Sequence, residues 1–307
     1  MNLNTNTKGF SYAAQLGMLL GLVGAGLVLA SVTGAFILST CTGVPLQQVS
    51  SLEVSDPRNL SAFRVVQVVT TLIGFLLPAW AFATLAYKKA SVFMGTSTLY
   101  TTRQFFLALA VLLTSILALS ALTYINEQIP LPASWQIEIK ALDAAYDKQI
   151  EAFTKMNGIG DLMISLLTMA ILPAVVEEIL FRGCLQNIMV GLTKRAWLGI
   201  FITSILFSLM HLSWTGFLAR LFLGLVLGLL YYSSKSIWLS ITAHALFNGF
   251  QIIAVYMYPS FVHGDKFVSI SWINWLALAL AIFLLYVIYK EKNTKAYSSN
   301  PKDSSDF

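Results

Sequence analysis

The chain has 307 residues, 57% of them apolar and only 11% charged, with a mean hydropathy of +0.74. That is more apolar surface than a water-soluble domain of this length can bury, so composition excludes a soluble protein and places the chain in a lipid bilayer. The net charge of +5 comes from 19 basic and 14 acidic residues gathered in loops and tails. It lacks the basic and aromatic interleaving of a nucleic-acid surface, and nucleic acid is excluded as a partner.

Crossing a bilayer takes roughly 20 mostly apolar residues. Such runs predict spans near 12–38, 61–87, 104–126, 159–190, 197–213, 216–233, 236–258 and 270–289. The expected fold is therefore all-α, a polytopic bundle of about eight transmembrane helices forming one membrane domain over 1–307. The first run follows a short polar opening and is longer than a signal-peptide core, so it is read as a retained span. The fifth and sixth should form a tight hairpin through Ser213–Thr215.

Lys and Arg concentrate on the cytoplasmic side of short loops. Threading eight spans puts Lys8, Lys88, Lys89, Arg103, Lys194, Arg195, Lys235, Lys290, Lys292 and Lys295 on one side, with both termini cytoplasmic. The connections 39–60 and 127–158 lie opposite and carry mixed charge. Within the second, Trp135, Ile139, Leu142, Tyr146, Ile150 and Phe153 recur at helical spacing. They predict an amphipathic helix, lying on the membrane surface or packed against the bundle ends. Gly17 with Gly21 and Gly224 with Gly228 have the spacing of close helix contacts. Cys41 and Cys184 fall at different depths and are read as unpaired. The polar end of the chain, 291–307, is expected to be a disordered cytoplasmic tail.

An ionisable group inside a bilayer costs at least about 2.5–3.5 kcal/mol, so its placement is informative. Spans four to seven hold Glu177, Glu178, Arg182, His211, Arg220 and His244, whereas the other spans are nearly free of such groups. A functional cavity in the second half follows. Adjacent Glu177 and Glu178 project about 100° apart on a helix, and Glu178 stands one turn before Arg182. That pair can neutralise itself, leaving Glu177 on another face as a candidate general base or acid. Phe207 and His211 lie one turn apart on the fifth span, and His244 and Asn248 one turn apart on the seventh. Both of the latter can donate toward a developing oxyanion. Neither a His-Glu-x-x-His helix nor a Gly-x-Ser-x-Gly turn occurs. His263, in an apparent outer loop, is read as solvated.

Taken together, Glu177-Glu178-x-x-x-Arg182, Phe207-x-x-x-His211 and His244-x-x-x-Asn248 resemble the three ordered motifs of the CAAX-protease and bacteriocin-processing (CPBP, or Abi) family. The motifs place a catalytic core over 160–250. The resemblance implies an intramembrane endopeptidase acting on a membrane-associated peptide or protein, in a bacterial plasma membrane. By the same resemblance Glu177 and His211 activate water, His244 and Asn248 stabilise the oxyanion, and Glu178, Arg182 and Phe207 support the site. The family carries a metalloprotease label. A divalent metal such as zinc on Glu177, His211 and His244 and a metal-free water between Glu177 and His211 both fit the residues. The active cavity is expected to open to the cytoplasm. Two other readings of the same residues are an inactive membrane scaffold or bacteriocin-immunity factor and a proton-coupled transporter, for which inverted repeats are not seen.

Overall fold

The computed structural model describes residues 7–259 and 271–299, with side chains to 290. The long helices are α1 (Tyr12–Thr42), α2 (Leu60–Ala86), α3 (Thr102–Glu127), α4 (Ala133–Thr154), α5 (Ile159–Thr193), α6 (Ala196–Leu209), α7 (Phe217–Ser234), α8 (Ile237–Met257) and α9 (Trp272–Ser299). Among the described residues, 7 of these are long and apolar enough to cross a membrane. The chain is a polytopic helical membrane bundle. The fifth predicted span differs: α6 stops at Leu209 after 14 residues, because Met210–Gly216 turn away to feed the hairpin. The expected tail is also shortened. No Gly or Pro interrupts 291–299, and α9 runs to Ser299; 300–307 and His263 lie outside the described residues.

The two largest packed groups of side chains among the described residues divide the bundle. One joins α1, α2, α5 and α6 through residues such as Leu19, Phe82, Leu180, Ile188 and Phe207. The other joins α3, α7, α8 and α9 through Val111, Val226, Leu239, Phe247 and Ala281. The seam between them, where α5 and α6 meet α7 and α8, is crossed by polar bonds. Gln186 Nε2 donates to the Gly228 carbonyl at 3.0 Å, and Asn187 Nδ2 to the Tyr231 hydroxyl at 2.9 Å.

Close approach along this seam explains Gly224 and Gly228. A Cβ on Gly224 would sit 2.9 Å from Ser204 Cβ, and one on Gly228 would sit 2.8 Å from Ile200 Cγ2. Gly17 and Gly21 are different. Their Cβ positions face open space, and the tight contact on α1 is at Gly26, where a Cβ would lie 2.6 Å from Pro78 Cγ.

Loop contacts sort the two ends of the bundle as the basic residues predict. Lys8 bonds the Thr84 and Ala86 carbonyls, and Ile237 N–H reaches the Gly95 carbonyl, gathering the lysine-rich loops at one end. At the opposite end Lys148 pairs with Glu53 at 2.9 Å, and Arg64 with Asp161 at 3.7 Å. The Lys148 ammonium holds the Glu53 carboxyl below its ordinary value. The amphipathic helix α4 packs against this end. Asp143 accepts the Trp214 and Thr215 N–H groups at 2.7 and 3.2 Å, while Trp135, Ile137 and Leu142 remain exposed.

Candidate active site

Helix α5 carries the acidic motif and is not a uniform α-helix. Leu166–Ile171 and Ile179–Gln186 are π-helical, and Pro173 follows the first of these segments. Proline has no N–H and cannot satisfy the carbonyl four residues back. In a bilayer such a freed carbonyl must find another donor. Here Asn248 Nδ2 approaches the Met169 carbonyl at 3.5 Å, and Gln67 Nε2 the Thr168 carbonyl at 3.4 Å. Two neighbouring helices thus supply side-chain amides where proline removes a backbone donor. They fix α5 just before Glu177.

The adjacent carboxylates part company as their helical offset requires. Glu178 is 0% exposed, and its Oε1 accepts from Arg182 Nη1 and from His244 Nδ1, the latter at 3.0 Å. Arg182, also 0% exposed, spends another N–H on the Gly224 carbonyl at 3.1 Å, tying α5 to α7. Glu178 therefore bridges all of this to α8. The expected Glu178–Arg182 pair is present, but the bond to His244 is not legible from helical spacing, since 66 residues separate the partners.

Glu177 points elsewhere. It is half-buried, and its Oε2 has no hydrogen-bonding partner among the described residues.

His211 follows the end of α6, with Nδ1 2.9 Å from the Phe207 carbonyl. Both imidazoles therefore have Nδ1 beside an oxygen that can only accept, which requires the proton on Nδ1. Each leaves Nε2 for chemistry. Leu212, the next residue, has φ 50, a left-handed conformation that costs a residue with a Cβ about 1–2 kcal/mol. The loop is held by Asp143, by Asn126, whose amide donates to the Trp214 carbonyl at 2.9 Å, and by Arg220, which donates to the Ser213 carbonyl.

Phe207 joins these parts. It is 1% exposed, its ring lies edge-to-face with Phe181, His211 and His244 at 5.2, 5.2 and 5.8 Å, and the Arg182 guanidinium sits 4.6 Å from its centroid. Aromatic edge contacts and cation–π attraction are each worth about 0.5–2 kcal/mol when desolvated. One ring thereby spaces both imidazoles and the guanidinium.

Residues 159–250 match the model of the Rce1-like type II CAAX prenyl endopeptidases. The CAAX-protease resemblance carried by the three motifs is borne out over this segment. Comparison with curated proteins and with solved structures returned no match. Within the Rce1-like segment the structure brings Glu178, Arg182, Phe207 and His244 into direct contact, and Glu177 precedes Glu178 on α5. His211 joins the group through Phe207. Asn248 lies on the same face of α8 as His244, with one amide N–H turned to Met169.

Among the described residues no group of three or more His, Cys, Asp or Glu side chains is arranged to hold a metal ion. Sequence reasoning also gives no role to Arg220, Asp143 or Tyr146. The Arg220 guanidinium lies 5.4 Å from the Tyr146 ring, and the signal for it was a basic residue at the start of α7 opposite an acidic face on α4. Burial raises the Tyr146 hydroxyl pKa against the opposing pull of the Arg220 charge, and burial with Asp143 nearby raises that of Asp147.

Proposed function

We propose that this protein is an intramembrane endopeptidase that hydrolyses a peptide bond of a membrane-associated peptide or protein, with Glu177 as base. The observation that carries this reading is the division of labour between the two carboxylates. Glu178 spends Oε1 on both Arg182 and His244 and keeps only Oε2 without a partner, whereas Glu177, one of whose oxygens is also buried, makes no hydrogen bond or ion pair to any described residue. A carboxylate left so in a bilayer is expensive and is retained for use.

In the proposed reaction a water donates one proton to Glu177 Oε2 and its other hydrogen bond to the open Nε2 of His211. Its oxygen attacks the carbonyl carbon. His244, oriented by Glu178, meets the resulting oxyanion in the form that carries a second proton on Nε2, and the remaining N–H of Asn248 adds a donor. Collapse breaks the C–N bond, and the proton held by Glu177 passes to the leaving amine. Acid and amine are the products, with no net change at the enzyme. Phe207 and Arg182 keep the two imidazoles in place. A bacterial plasma membrane with both termini cytoplasmic is the proposed setting.

The test is cleavage of a quenched peptide library by purified protein in detergent. Glu177→Gln should abolish cleavage while leaving the elution profile and unfolding unchanged, and chelator should leave the wild-type rate unaffected. Cleavage by the Gln variant at the wild-type rate would refute the assignment. Loss of activity with chelator and its return with zinc would replace the metal-free mechanism.

A further inference from the structure

The hairpin that carries His211 lies at a definite end of the bundle. His211 and Leu212 sit in the α6–α7 hairpin, which is bonded to α4 through Asp143. Glu177 lies midway along α5, between the two ends of the bundle. Arg220 closes the group: its guanidinium lies 5.4 Å from the Tyr146 ring and donates to the Ser213 carbonyl in the hairpin. His211, Leu212, Arg220 and Tyr146 lie toward the end that holds the Lys148–Glu53 and Arg64–Asp161 pairs.

That end is opposite the lysine-rich one. Lys8, Lys88, Lys89, Arg103, Lys194 and Arg195 sit on loops or helix starts at the far end, where the described loops carry no Asp or Glu. The α4 end instead bears Glu53, Asp56, Glu127, Asp143, Asp147 and Glu151 among fewer basic residues. Its loops are short enough for the basic-loop rule to apply, because that rule counts Lys and Arg near span ends in loops under about 60 residues. The cationic loops stay in the cytoplasm, and the α4 end is translocated.

We infer that the site opens on the non-cytoplasmic face, so that its substrates are membrane-anchored peptides whose scissile bond lies at the outer leaflet. This reverses the expectation of a cytoplasmic opening. It rests on the proposed protease activity only for the word substrate; the orientation stands on charge and contacts alone. A substrate class follows directly. Such a substrate is a translocated chain held by an apolar segment, not a soluble cytoplasmic protein with a modified tail.

The chain carries its own reporter. Cys41 is exposed at the α4 end, and Cys184 is buried. A membrane-impermeant maleimide applied to intact cells expressing the full chain should label Cys41. It should also label Leu212→Cys in a Cys41→Ser background, since Leu212 is 65% exposed beside His211. Ser97→Cys, exposed at the lysine-rich end, should react only after permeabilisation. The opposite pattern, or labelling of both ends in intact cells, overturns the inference. In parallel, a quenched lipid-anchored peptide library that cannot cross the bilayer should be cleaved at least tenfold faster by right-side-out than by inverted vesicles. Faster cleavage by inverted vesicles also overturns it. Correct labelling with no cleavage from either face refutes the protease reading and leaves the orientation established.

Discussion

Replacing Glu178 with Gln should unfold this protein more readily than any other conservative change at the site. The carboxylate is 0% exposed and is the shared acceptor of Arg182 and His244. Glutamine keeps the shape but leaves a buried guanidinium whose other described bond is to the neutral Gly224 carbonyl at 3.1 Å. Removing one partner of a buried ion pair costs about 3–5 kcal/mol, because the remaining charge is uncompensated. At about 1.4 kcal/mol per tenfold change, that is roughly two to three and a half decades in the folding equilibrium. SDS-titrated unfolding in mixed micelles reads the difference directly. Glu178→Gln should unfold at markedly lower SDS than wild type, and Glu177→Gln should match wild type. The double variant Glu178→Gln/Arg182→Met removes the orphaned charge and should recover much of the stability without activity. Equal unfolding of the two single Gln variants would refute the division of labour between the carboxylates.

Gly26→Ala should destabilise by about 1–3 kcal/mol, the usual cost of overpacking, since its Cβ would lie 2.9 Å from the Ile73 carbonyl, whereas Gly17→Ala should be silent in the same titration. Phe207→Leu should lower kcat by at least tenfold with little change in KM, because the ring spaces two imidazoles and is itself only 1% exposed; a pure KM effect would contradict this. Asp143→Ala should leave two loop N–H groups without their acceptor and raise protease nicking between Met210 and Phe217, which limited proteolysis can measure. Asp147 has its carboxyl pKa raised by burial and by Asp143. A raised acid binds its proton more tightly in the folded state, so folding gains as pH falls through that pKa. Asp147→Asn should therefore stabilise the α4 contact slightly at neutral pH, and the gain should vanish in acid.

The apolar runs made most of the fold legible, because a bilayer-spanning helix is a matter of length and composition. The shortness of α6 was not legible: Met210 and Leu212 extend the apolar pattern, and only the backbone shows that Leu212 leaves it. The motif residues were legible as residue types at helical spacing. What spacing could not give was the pairing of Glu178 with His244, which depends on how α5 and α8 face each other. Nor could it show that Asn248 answers a carbonyl freed by Pro173, although the proline itself was visible in the sequence. Small-residue spacing was right for Gly224 and Gly228 and misleading for Gly17 and Gly21, because spacing does not say which face meets a neighbour.

The short α6 has a consequence for the surrounding lipid. Its 14 residues rise about 21 Å, against a hydrocarbon thickness of about 30 Å. A helix too short for the bilayer is accommodated by local thinning, at fractions of a kcal/mol per ångström of mismatch. Thinning of this kind is expected at the end where the hairpin carrying His211 turns. The proposed hydrolysis needs water that a membrane excludes, and a helix of insufficient length would bring headgroups and water nearer to His211.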